Sequence, residues 1–258
     1  MSLNQNKKSR IRVKILLWID VFALTAWGLL ILKYWLTSKL YLLLHPDYFW
    51  LAIAGAIGLL ILAFFKAVQL LQKRRGETLP NVQHFTIFPP GFGSFLLLTT
   101  AILGLIITPR VFASQVALDR GVTDLIGATR SQPQAFRASV RPENRTLVDW
   151  VRTLNVYPEP DAYTGQTAKV QGFVIHPPDL GKEYLYIARF VLTCCAADAY
   201  PIGLPVKLNS EKRDKYKPDT WLEIEGKMIT ETINNKRQLT ISATSLKTIP
   251  QPKNPYSY

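Results

Sequence analysis

The chain has 258 residues, a formal net charge of +13 at pH 7 and 48% hydrophobic residues. Positions 1–108 hold eleven Lys or Arg against three acidic residues (+8), and positions 109–258 hold twenty against fifteen (+5). Most of the basic excess therefore accompanies the apolar first part, where it suits anionic lipid headgroups. The second part mixes both signs and has no basic stripe or aromatic ladder, which argues against nucleic-acid binding.

Three long apolar stretches lie near 15–36, 48–71 and 87–107. Each approaches the ~20 residues that an α-helix needs to cross the hydrocarbon core of a bilayer. We therefore expect residues 1–108 to form a transmembrane region with three helical spans. A cleaved signal peptide is disfavoured, because the first stretch is longer than an h-region and lacks a small-residue cleavage site.

The third span differs from the other two because Pro89, Pro90, Gly91 and Gly93 occupy its first part. A continuous helix is expected to start near Pro90 or Phe92, since proline is tolerated only in the first turn. A re-entrant segment is the alternative, and it would return the rest of the chain to the cytoplasm.

The flanking cations predict the orientation in the membrane. Five Lys or Arg precede the first span at 7–14 and three follow the second at 73–75, whereas the loop between these spans offers only Lys39. By the positive-inside rule the N-terminus is cytoplasmic and the part after the third span is extracytoplasmic. We expect a multi-pass protein of the bacterial cell (inner) membrane.

Three charged residues fall within the predicted spans, namely Asp20, Lys33 and Lys66. Intramembrane charge is costly and often marks an ion or proton path. Long side chains near helix ends can instead extend to the interface, which favours that interpretation for the two lysines. Asp20 is too short to reach the interface easily, so both interpretations remain open for it.

After the spans, residues 109–145 show no lasting periodicity and are interpreted as a connector, with a short helix around Ala117 to Ile126. Apolar residues at 145–155 have helical spacing and predict one amphipathic helix. Residues 146–258 are interpreted as an extracytoplasmic all-β domain. Gly172 and Gly226 lie where strands of a small barrel bend, so an OB-like five-stranded barrel is expected. The five predicted strands are Thr167–His176, Tyr184–Thr193, Ile202–Leu208, Trp221–Met228 and Gln238–Ile249.

The two cysteines of the chain are adjacent, Cys194 and Cys195. In an oxidising exterior they can close a strained vicinal disulfide. Their thiolates, with Asp198 or His176, can instead hold a soft or borderline cation such as zinc. A third interpretation makes both cysteines small apolar fillers of the barrel core. A metal pair requires a turn here, because adjacent residues of a regular strand face opposite ways.

The region around these cysteines resembles the YcgQ-like family of bacterial membrane proteins, and similar segments occur along most of the chain. They are Arg189–Val206 around the cysteines, Pro109–Ser114 with Ala117 and Arg120–Gly121 after the third span, Asp149–Trp150, Gly172–Val174 and Pro255–Tyr256. The resemblance implies a subunit of a two-component permease whose partner is a larger, many-span permease subunit. It also implies a link to divalent metal handling, with zinc among the ions.

The resemblance, together with the three predicted spans, implies one function, and the paired cysteines suggest another. The first is a non-catalytic accessory subunit of a membrane permease complex, whose spans contact lipid and the permease and whose barrel gates, scaffolds or delivers substrate. The second is an extracytoplasmic metal-binding or thiol redox protein acting through Cys194 and Cys195. We expect no enzyme, because the sequence has no Ser/His/Asp set, nucleotide-binding loop or metalloprotease helix.

Overall fold

A computed structural model describes residues 2–72, 91–122, 141–209 and 211–258, with side chains from Lys14 onward. The chain divides into two compact units, Met1–Pro109 and Arg110–Tyr258. The first unit is helical and the second is built around a β-sheet.

The first unit contains the helices α1 (Ser2–Leu36), α2 (Phe49–Gln72) and α3 (Phe92–Ile106). Within the described ranges, two segments are long and apolar enough to cross a membrane, Lys14–Leu36 and Pro46–Gln72. α3 is also apolar but has only 15 residues, or about 22 Å at ~1.5 Å per residue. The first residues of the predicted third span, 87–90, lie outside the described residues.

Small residues let the helices of this unit approach closely. A Cβ added at Gly28 of α1 would lie 2.7 Å from Cγ of Leu60 and 3.1 Å from the carbonyl oxygen of Ala56, both on α2. On the other side of α1, the Tyr34 hydroxyl donates to the Gly104 carbonyl of α3 at 2.5 Å. Such contacts suit helices in lipid, where packing and interhelical hydrogen bonds hold the bundle together.

Each charged residue of the predicted spans has a partner in this unit. Lys66 Nζ lies 3.0 Å from Asp20 Oδ2, so the ion pair joins α2 to α1. The Lys33 ammonium donates to the Leu105 carbonyl of α3 at 2.6 Å. These partners reduce the cost of placing charge at membrane depth.

The second unit contains a six-stranded sheet in the order β1-β4-β5-β3-β2-β6, in which β1 also pairs with β2. The pairings of β1, β4, β5, β3 and β2 therefore run in a closed circuit. All are antiparallel except β3 with β5 and the edge pairing of β2 with β6. The strands are β1 (Thr167–Ile175), β2 (Tyr184–Val191), β3 (Tyr200–Leu208), β4 (Trp221–Ile233), β5 (Lys236–Thr248) and β6 (Tyr256–Ser257).

Five of these strands coincide with the predicted ones, and β6 was not predicted. β6 has only two residues and pairs only with the end of β2, at Phe190 and Val191. Such a short strand leaves no alternation of apolar and polar residues in the sequence.

β4 ends at Ile233 and β5 begins at Lys236, so the turn between them consists only of Asn234 and Asn235, both with positive φ. This turn is the short hairpin connection that asparagine favours.

The core of this unit lies between the inner faces of the strands and the helix α5 (Leu147–Val156). A capping box starts the helix: the Asp149 N–H donates to the Thr146 hydroxyl at 3.2 Å, and the Thr146 N–H donates to the Asp149 carboxylate at 2.9 Å. Trp150 is fully buried and stacks edge-on against Tyr163. The predicted amphipathic helix at 145–155 thus covers the apolar interior of the sheet.

Residues 110–122 belong to the same compact unit as the sheet. They contain the short helix α4 (Ser114–Asp119), in which Ala117 is fully buried. The remainder of the predicted connector, residues 123–140, lies outside the described residues.

Gly172 allows β1 to pair with two neighbouring strands. Residues 167–173 of β1 pair with β4, and Phe173–Ile175 pair with β2. A Cβ at Gly172 would collide with the carbonyl oxygen of Ala188 on β2. Only glycine therefore lets the two backbones come this close where β1 passes from one neighbour to the other.

We expect Gly172→Ala to destabilise the second unit by about 1–3 kcal/mol, because the added methyl group meets a backbone atom that cannot turn away. Urea unfolding of residues 110–258, followed by circular dichroism, measures the change. Gln171→Ala, at an exposed position next to it on β1, is the matched control and should shift stability by no more than about 0.5 kcal/mol. Equal stability of the Gly172→Ala variant and the wild type would refute the close-approach argument.

Candidate functional site

The two cysteines lie in the loop between β2 and β3. β2 ends at Val191 and β3 begins at Tyr200, and a single 3-10 turn, Ala196–Asp198, interrupts the loop. Cys194 is therefore outside regular strand geometry, whereas Cys195 is extended and forms only an isolated bridge. This is the condition under which two neighbouring side chains can point the same way.

The Asp198 carboxylate folds this loop back on itself. It accepts hydrogen bonds from the backbone N–H groups of Thr193 at 3.3 Å, Cys194 at 2.7 Å and Cys195 at 3.3 Å. Burial alone would raise the pKa of Asp198, but hydrogen bonds from the Cys194 thiol and these amides outweigh it and lower the pKa. The carboxylate is therefore ionised at neutral pH, and its roughly four acceptor positions hold the loop together.

Both cysteines are free thiols with their sulfur atoms 3.6 Å apart. Cys194 is exposed and Cys195 is half-buried. The interpretation of both as fillers of the barrel core is therefore wrong. That interpretation rested on the general tendency of cysteine to be buried, whereas here both residues lie in the loop after β2.

The carboxylate also controls the chemistry of the first thiol. Hydrogen bonds to Asp198 and to Cys195 raise the pKa of Cys194 to about 12. The thiol is therefore protonated at neutral pH and a poor nucleophile, because the thiolate is the reactive form. A bound metal ion would have to displace this proton, as metal binding to cysteine generally does.

The loop has the donor set and spacing of a small metal site. The sulfur atoms of Cys194 and Cys195 and a carboxylate oxygen of Asp198 all lie within 4.8 Å of one another. Two thiolates bound tetrahedrally at ~2.3 Å from zinc would lie about 3.8 Å apart, close to the 3.6 Å sulfur separation seen here. Three such ligands would leave one coordination position open to water or to another donor.

His176, the fourth candidate ligand from the sequence, does not belong to this group. It follows β1 and lies beside the Arg213–Tyr216 turn. Burial, followed by the positive charge of Arg213, lowers its pKa, so the ring is neutral at pH 7. Its Nε2 is buried and has no hydrogen-bond partner among the described residues.

The segments on which the family resemblance rests meet next to this loop. The Phe112 ring lies 5.2 Å from that of Phe190 on β2 and 5.8 Å from that of Tyr256 on β6. The Phe112 N–H also donates to the Tyr256 hydroxyl at 3.3 Å. Arg120 lies over Phe112 and donates to the Ala199 carbonyl, directly after Asp198. The start and the end of the second unit thus brace the cysteine loop.

Sequence reasoning missed two parts of this arrangement. It considered Asp198 as a metal ligand but not as the acceptor for three consecutive amides, although an Asp three residues after a turn residue is typical of a capping arrangement. It also treated Phe112 and Arg120 as connector residues. Their contacts lie more than 60 positions away in sequence, where no local pattern can indicate them.

The match to a known family model lies in this second unit. Residues 136–258 match the family model described as the DUF1980 C-terminal domain. The UPF0703 protein YcgQ of Bacillus subtilis (strain 168) is 27% identical over 105 residues, which are 40% of this chain and 36% of that protein. No solved structure matches the chain.

A second relative, from Streptococcus mutans serotype c, is named "Putative two-component membrane permease complex subunit". It is 33% identical over 108 residues, which are 40% of this chain and 37% of that protein. The matched region therefore spans little more than a third of each relative. Together these matches confirm the resemblance to the YcgQ-like family predicted from the sequence, and they rest on less than half of the chain.

Proposed function

We propose that this chain is a non-catalytic accessory subunit of a bacterial membrane permease complex. The observation that carries the proposal is the joining, in one chain, of apolar helices to a β unit that matches the DUF1980 C-terminal domain. The name of the Streptococcus mutans relative supports the same role. Because three helices are too few to enclose a transport path by themselves, the path belongs to a larger, many-span partner.

The proposed topology has three spans, a cytoplasmic N-terminus and an extracytoplasmic β unit. The cations at 7–14 and 73–75 support it through the positive-inside rule. α3 would complete the third crossing with the residues before it, or with local thinning of the bilayer. In this arrangement the loop with Cys194 and Cys195 faces the oxidising side of the membrane.

We further propose that the β unit is an OB-like five-stranded barrel that gates, scaffolds or delivers substrate to the permease. The closed circuit of pairings through β1, β4, β5, β3 and β2 supports this assignment. So does the bend of β1 at Gly172, since small barrels close through such glycines.

The accessory role predicts a membrane partner. The tagged full-length chain, purified from its native membranes in mild detergent, should retain one many-span membrane protein at a fixed ratio, as shown by mass spectrometry. Residues 110–258 carrying the same tag are the control and should lose that protein, because the proposed contact lies in the helices. Recovery of the full-length chain without any membrane protein, across several detergents, would contradict the accessory role.

A second function is favoured by one observation, the convergence of two thiols and a carboxylate at the surface. This arrangement supports an extracytoplasmic metal-binding or thiol redox protein. Soft thiolates with one carboxylate suit zinc or a similar divalent cation. The same site can serve the first function if the permease substrate is a divalent metal ion.

The metal hypothesis predicts zinc binding that depends on these cysteines. In competition with a chromogenic chelator, the reduced wild-type chain should bind one zinc ion, and the double variant Cys194→Ser/Cys195→Ser should bind at least about tenfold more weakly. His176→Ala is the matched control and should bind as the wild type does, because His176 lies outside the cluster. Unchanged affinity in the double-Ser variant would exclude a metal site in this loop.

A further inference from the structure

The helices of the first unit leave a groove with a volume of about 390 Å³. All three helices line it: Asp20 and Trp27 come from α1, Leu59 and Lys66 from α2, and Ser94 and Leu97 from α3. The groove is thus a product of the bundle and not of one helix face.

One end of the groove is charged. Asp20 accepts hydrogen bonds from the Lys66 ammonium at 3.0 Å and from the Ser94 hydroxyl. Among the described residues, Asp20 is the only acceptor for Lys66, so two of the three ammonium N–H groups remain available. The Lys66 side chain is 46% exposed, against 28% for Asp20.

The other end is apolar. Leu59 and Leu97 line it, and the Trp27 indole N–H already donates to the Leu97 carbonyl at 2.9 Å. Trp27 therefore offers the groove an apolar ring without a free donor. A ligand that fits must carry an acceptor at one end and hydrocarbon along the rest.

The charged end lies near one end of the two candidate membrane spans, Lys14–Leu36 and Pro46–Gln72. Lys66 is about six residues, or roughly 9 Å, from the end of α2 at Gln72, and Asp20 lies at a similar distance from Lys14. A lysine stem can carry its ammonium from this depth toward the headgroup layer. In hydrocarbon, by contrast, each unsatisfied N–H group costs several kcal/mol.

We propose that the groove binds one membrane phospholipid, with its phosphate on the free N–H groups of Lys66 and an acyl chain along Leu59 and Leu97. The division into a polar end, where the Lys66 ammonium offers N–H donors beside Asp20, and an apolar end matches this ligand. A helix about 10 Å wide would fill 390 Å³ in roughly one turn, so the groove is too small to seat a partner helix. The proposal requires helices in a bilayer but no permease partner.

The test uses the purified full-length chain, without any partner, and native mass spectrometry with added phosphatidylglycerol. The wild type should retain one lipid per chain. The affinity of Lys66→Gln for the lipid should be at least about tenfold lower, because a hydrogen bond to a charged group is lost. Lys33→Gln is the matched control and should bind normally, since Lys33 bonds to Leu105 outside the groove. Diacylglycerol with the same acyl chains should not bind, because it lacks the phosphate.

A second variant keeps the proposal testable if Lys66→Gln fails to fold. Leu97→Trp fills the apolar end, keeps the ion pair and should also lose the lipid. Equal lipid retention by the wild type and both variants would overturn the proposal. A photoreactive amino acid at position 97 that forms a protein adduct instead of a lipid adduct in native membranes would also overturn it, since a partner helix would then cover the groove.

Discussion

The β unit depends on one close approach, at Gly172, where β1 passes from pairing with β4 to pairing with β2. Without that passage β1 would not pair with β2, and the circuit of pairings would remain open. The circuit leaves few strand edges unpaired, and the apolar core of the unit lies between the strands and α5. It also fixes the ends of β2 and β3, and therefore the position of the cysteine loop between them.

Within that loop, a single carboxylate has two roles. Asp198 satisfies three consecutive backbone N–H groups and so turns the chain, and it holds the proton on Cys194 through a hydrogen bond to the thiol. The loop is thus a preformed group of donors in which the Cys194 thiol keeps its proton. An ion that binds both sulfurs would replace the thiol proton while the amide bonds preserve the turn.

Features with a local sequence signal were predicted well. The apolar helices, the amphipathic helix before the sheet and five strands follow from hydrophobic periodicity, and the resemblance to the YcgQ-like family followed from short motifs. The site could be predicted only by residue type. That Cys194, Cys195 and Asp198 converge while His176 lies elsewhere depends on where β2 ends. Likewise, the pairing of Asp20 with Lys66 joins residues 46 positions apart, which the spacing of charges in the sequence cannot show.

The central claim is that a membrane-anchored chain presents two surface thiols on the extracytoplasmic side. Because Cys194 and Cys195 are the two cysteines of the chain, labelling reports on this claim directly. Intact cells producing the chain are treated with a reducing agent and then with a membrane-impermeant maleimide at pH 8.5, for long enough to label a thiol of raised pKa. We expect labelling in intact cells equal to that in permeabilised cells, and none in the Cys194→Ser/Cys195→Ser variant. Labelling that appears only after permeabilisation would place the loop in the cytoplasm and contradict the account.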